Sequence, residues 1–63
     1  MMNDWISVKD ELPIETDDYL VCLPNGHIHI GYWMSGEFWS TGYYTSSWEV
    51  THWMPLPEPP KEG

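Results

Sequence analysis

Arginine is absent from this chain of 63 residues and lysine occurs only twice, against ten acidic residues, which leaves a formal charge of −8. A field of that sign repels phosphate groups, so direct binding of DNA or RNA and docking on an anionic membrane surface are both disfavoured. Cysteine occurs once, at Cys22, so no disulfide can staple the chain to itself. A lone thiol fits a reducing, cytosolic compartment. Long apolar runs are missing as well. Nothing approaches the roughly 20 residues that a membrane-spanning helix needs, and the start "MMNDWISV" lacks the basic residues and apolar stretch of a secretion signal.

What the chain has instead is aromatic bulk: five Trp, four Tyr and one Phe. A domain this short buries only about 60% of the surface its unfolded chain exposes. With disulfides excluded, heavy side chains are one of the few remaining ways to fill a core, since each large aromatic can bury about 150–250 Å². The acids are unevenly placed. Asp4, Asp10, Glu11, Glu15, Asp17 and Asp18 all fall within the first 18 residues, with only Lys9 among them. Such a segment attracts a basic protein partner and speeds its association.

Helical periodicity is scarce. "WISVKDELP" places Trp5, Val8 and Leu12 on one side of a helical turn, which Pro13 then stops. After a polar stretch the pattern changes to period two. In "YLVCLPNGHIHIGYWM" the pair Asn25-Gly26 suits a two-residue hairpin turn. That turn sets Leu23 against Ile28, Val21 against Ile30 and Tyr19 against Tyr32 on one apolar face. Leu20, Cys22, His27, His29 and Trp33 then share the other face. Pro24 is the residue that fits this turn least well. A second turn at Ser35-Gly36 sets Met34 against Glu37, Trp33 against Phe38 and Tyr32 against Trp39. "WEVTHWM" resumes the alternation, with Trp48, Val50, His52 and Met54 on one side and Glu49, Thr51 and Trp53 on the other. The expected fold is all-β: a small antiparallel meander of three to four strands, twisted or barrel-like, with room for one short N-terminal helical turn. Residues 1–63 read as a single domain. The ending "VTHWMPLPEPP" is expected to strap onto the core through about Pro57, with residues 58–63 frayed.

Three segments, "WISVKDELP", "YLVC" and "VTHWMPLPEPP", together resemble the domain-of-unknown-function family 551 (DUF551), small domains of bacteriophages and prophages. The resemblance covers about residues 5 to 60. It carries no catalytic residues, since the family's name assigns no activity. It implies an accessory gene product acting in the cytoplasm of a bacterial host.

Cys22, His27 and His29, with His52 from the last strand, are zinc-ligand residue types that the expected hairpin brings near one another. No paired CxxC spacing accompanies them, so the set is carried as the alternative reading, a small metal- or ligand-binding module, and no metal or cofactor is expected. No nucleophile with a base and an orienting acid can be recognised, so an enzyme is not expected. Tyr19, Tyr32 and Trp53 read as core. Trp33, Trp39, Tyr43, Tyr44 and Trp48 exceed what so small an interior can hold. Left outside, they form a binding surface with the acidic rim of Asp10, Glu11, Glu15, Asp17 and Asp18. The expected partner is a host bacterial protein with a basic surface, which the domain inhibits or redirects in the manner of an anti-defence protein. A homo-oligomer in which surplus aromatics bury one another is the remaining reading.

Overall fold

The computed structural model describes residues 4–40 and 48–58. Five strands form one sheet: β1 (Ile6–Ser7), β2 (Asp17–Cys22), β3 (Ile28–Met34), β4 (Glu37–Ser40) and β5 (His52–Pro55). Their order is β1-β5-β2-β3-β4, and every neighbouring pair is antiparallel. The all-β class and the β2-β3-β4 meander are as expected. The sheet has five strands rather than three or four, and it stays open instead of closing into a barrel.

No helix occurs among the described residues. The N-terminal turn is a single one, closed by the amides of Asp10 and Glu11, which both donate to the carbonyl of Ser7 at 2.9 and 3.1 Å. One turn fixes several dihedrals for very few bonds, and Pro13 keeps Leu12 out of helical geometry, so the helix never propagates.

The ending joins the sheet as far as Pro55, short of the expected Pro57; of the tail expected to fray, residues 59–63 lie outside the described residues. β5 runs between β1 and β2, pairing Trp53 with both Ile6 and Val21 and Pro55 with Tyr19. The ladder ends at Pro55, and Leu56, Pro57 and Glu58 follow as exposed, non-strand residues.

The first hairpin corrects the expected register. Leu23 donates to the carbonyl of His27 at 2.9 Å, and Gly26 donates to the carbonyl of Leu23 at 2.8 Å. The loop is therefore Pro24-Asn25-Gly26, three residues and not two. Pro24, with its φ locked, suits the first central position of a type I turn. Gly26 takes the left-handed conformation that closes the loop, at φ 89°. The Asn25 side chain accepts the His27 amide at 3.0 Å. Leu20 thus lies opposite Ile30, Val21 opposite His29, and Cys22 opposite Ile28. A one-residue slip sends every side chain of β3 to the other face. Ile28, Ile30 and Tyr32 point outward, while His29, Gly31 and Trp33 lie on the face of Val21 and Tyr19. The second hairpin keeps its expected register, Trp33 to Phe38 and Met34 to Glu37. Ser35 and Gly36 take φ of 54° and 79°, the positive pair that a two-residue turn requires.

The inner face holds the core: Val21, Trp33, Phe38, Val50 and Trp53, with Ile6, Val8, Tyr19, Leu23 and Trp48 packed against it. Trp33 and Phe38 meet at 4.7 Å between ring centroids, and Tyr19 meets Trp53 edge-on at 5.1 Å. Gly31 sits beneath this cluster. A Cβ there would come within 3.1 and 3.3 Å of the two Val21 methyls, so β3 can approach only because that position has no side chain. Strict alternation through "WEVTHWM" is broken by a bend at Thr51, whose amide donates to the carbonyl of Cys22 at 2.9 Å. Val50 and Trp53 consequently share the core, although alternation would separate them. Tyr32, expected inside, is half-buried on the outer face.

Candidate functional site

Most of the acidic candidates ride on the segment from Asp10 to Asp18, which links the N-terminal turn to β2. Its shape follows from Pro13. The residue before a proline is held extended, and successive side chains of an extended chain point to opposite sides. Pro13 is buried, and its neighbours face solvent: Leu12 is 49% exposed and Ile14 92%.

Both ends of the Glu11–Glu15 stretch are tied to the inner face of the sheet. The Trp53 indole N–H donates to the Glu11 carbonyl at 2.9 Å, and the Tyr19 hydroxyl donates to the Glu15 carbonyl at 2.9 Å. These are the two rings that meet edge-on beneath the loop. A cleft of 260 Å³ lies between them and the side chains of Glu11, Leu12, Ile14 and Glu15. Burial of its ring, and then the carboxylates of Asp17 and Glu15, hold the Tyr19 phenol above its ordinary pKa. Asp10, Glu11, Glu15 and Asp17 are all exposed, while Asp18 turns to the outer face and is half-buried.

Of the described aromatic candidates, Trp33 lies across from Asp17, and Trp39 shares the outer face with Asp18, with Tyr32 between them. Trp33 is a core residue, placed inside by the register of β3. Trp39 is half-buried on the outer face, where its indole N–H donates to the Met34 carbonyl at 3.0 Å. Trp48 packs against the core, and its ring lies 5.0 Å from that of His29. Tyr43 and Tyr44 lie outside the described residues. The described candidates thus divide among an acidic loop tipped by Leu12 and Ile14, an outer sheet face that holds Asp18 and Trp39, and the inner face, where Trp33 and Trp48 pack.

The register also divides the zinc-type residues. Cys22 stands on the outer face opposite His52, whereas His29 stands on the inner one, so Cys22 and His29 do not face each other. Among the described residues no three metal-ligating side chains are grouped. Thr51 Oγ1 donates to the Cys22 carbonyl at 3.1 Å and lies 3.0 Å from His52 Nδ1.

Reading the sequence by alternation passed over Leu12, Ile14, Ile28 and Ile30. The signal that finds the last two is Pro24. Counted as part of the turn, it lengthens the loop by one residue and reverses β3.

Residues 4–61 match the family model described as protein of unknown function (DUF551), and the chain belongs to that family. Neither the curated proteins nor the solved structures yield a match. Among the described residues no helix is long and apolar enough to cross a membrane.

Proposed function

We propose that this domain is a non-enzymatic accessory protein of a bacteriophage or prophage. It docks on a basic site of a host protein and inhibits or redirects that protein, as an anti-defence protein would. The observation that carries this reading is the pinned loop. Ile14 is almost fully exposed, lies between Glu11 and Glu15 in the chain and rests on backbone held at one end by the buried Trp53 and at the other by the half-buried Tyr19. A segment already fixed in shape loses little freedom on docking. Its apolar tip can fill a pocket while its carboxylates meet basic groups at the rim, which also steers encounter. Phage origin and a cytoplasmic site of action rest on the family membership and on the single thiol in this composition.

The test is affinity capture from bacterial lysate with tagged protein at low and high salt, followed by binding measurements on the captured host protein. The expected outcome is one dominant host protein, released as salt rises because exposed charges are screened. Binding should weaken about tenfold or more in Ile14→Ser, as for a central interface anchor. Capture that ignores both salt and Ile14→Ser would dispose of the loop as the binding element.

A further inference from the structure

The outer face of the sheet has no part in the proposed docking loop, yet it carries a run of apolar side chains. Leu20 lies directly opposite both Ile30 and Met54, an apolar row across β5, β2 and β3; in the next row Cys22 lies between Ile28 and the imidazole of His52. Tyr32, Trp39 and Met34 extend the patch toward β4. Ile28 is 56% exposed and Ile30 44%. Scattered surface isoleucines need no explanation, but a contiguous apolar sheet face does.

We infer that a second copy of the chain covers this face, giving two sheets packed face to face. Charge selects this occupant. Of the acids carried on the strands, Asp18 and Glu37 lie on this face, both toward its Met34 end, and Asp17 lies on the inner side; Asp10, Glu11 and Glu15 lie on the loop. A basic partner would find no carboxylate at the centre of the patch. Another chain of charge −8 meets the least repulsion at that same place. Size points the same way. The interior of this short chain, among the described residues, rests on five buried apolar side chains, and domains so small commonly draw stability from a partner subunit.

The area suffices. Four strands about 4.8 Å apart and on average about five residues long at about 3.3 Å each cover about 330 Å² in plan. Side chains standing off that plane bring two such faces to the order of 1,000 Å², the size that a specific interface has to reach. Stacked sheets pack about 10 Å apart. The Glu11–Glu15 loop is tied to Tyr19 and Trp53 on the inner side, so the pair would leave both loops open.

Sedimentation equilibrium of the intact chain, over a range of concentrations and at two salt levels, tests the inference. The expected mass rises from 7.4 kDa toward twice that value, and the pair tightens with salt because like charges are screened. Ile28→Thr with Ile30→Thr, which keeps both strand positions β-branched, should raise the dissociation constant at least about tenfold. Ile14→Ser should leave it unchanged, so failure here and failure of the docking loop are separately visible. A second readout needs no variant: in a sample mixing labelled and unlabelled wild-type chains, nuclear Overhauser effects between copies should involve the Ile28 and Ile30 methyls. A mass of one chain at millimolar concentration and high salt would overturn the inference. A pair whose intermolecular contacts avoid those methyls would overturn it too.

Discussion

The two faces of β3 make an instructive pair. From one seven-residue strand the inner face receives a histidine, a glycine and a tryptophan, and the outer face receives two isoleucines, a tyrosine and a methionine. Taken alone, the strand would turn its isoleucines inward, because they are β-branched and apolar. Its neighbours decide otherwise. With Trp33 inward, Phe38 comes with it through the second hairpin, and both join Val21, Tyr19 and Trp53. Gly31 then permits the close approach that this packing needs. The inner face is organised for packing, and the outer one keeps Ile28 and Ile30 at the surface.

Substitutions on the two faces should differ sharply. The largest effect is expected from Phe38→Ala, which opens a cavity in the core and should cost about 3–5 kcal/mol. The total stability of a chain this long is on the order of 3–9 kcal/mol, so denaturant titration should find this variant unfolded or nearly so. A loss below about 1 kcal/mol would mean that the inner face is not the core.

Gly31→Ala comes next. The added methyl meets Val21 at 3.1 Å, and overpacking of this kind typically costs about 1–3 kcal/mol. Combining it with Val21→Ala should cost less than the two changes measured separately, because the second removes the methyls that the first strikes. Strict additivity in that double-mutant cycle would sink the account of Gly31 as a close-approach position.

The smallest effect belongs to the outer face. Ile28→Thr and Ile30→Thr, measured at concentrations where the chain is monomeric, should each change unfolding free energy by no more than about 0.5 kcal/mol. Losses comparable to that of Phe38→Ala would erase the distinction between the faces.

Some of this was legible before any coordinates. The Ser35-Gly36 turn follows from local chemistry, since two residues able to take positive φ leave one pairing for the strands beside them. The stop at Pro13 and the extended ending follow equally from proline geometry. The first hairpin was not legible in the same way. Asn25-Gly26 is a good two-residue turn and also a good second half of a three-residue loop beginning at Pro24. Choosing between them moves Ile28 and Ile30 from core to surface. The acidic residues could be named from the chain, but not the pinning of Glu11 and Glu15. Those hydrogen bonds come from Trp53, 42 positions away, and from Tyr19.

By itself the sequence determined the β class, the turn that joins β3 to β4, the end of the N-terminal turn and the charge that a partner meets. Each of these depends on dihedral preferences within a few residues or on composition alone. Only the tertiary structure decided which face of β3 is inside, that β5 runs between β1 and β2, and that Ile14 stands out from a loop fixed at both ends. Those outcomes depend on total buried area and on bonds between residues far apart in the chain, quantities that no local window contains.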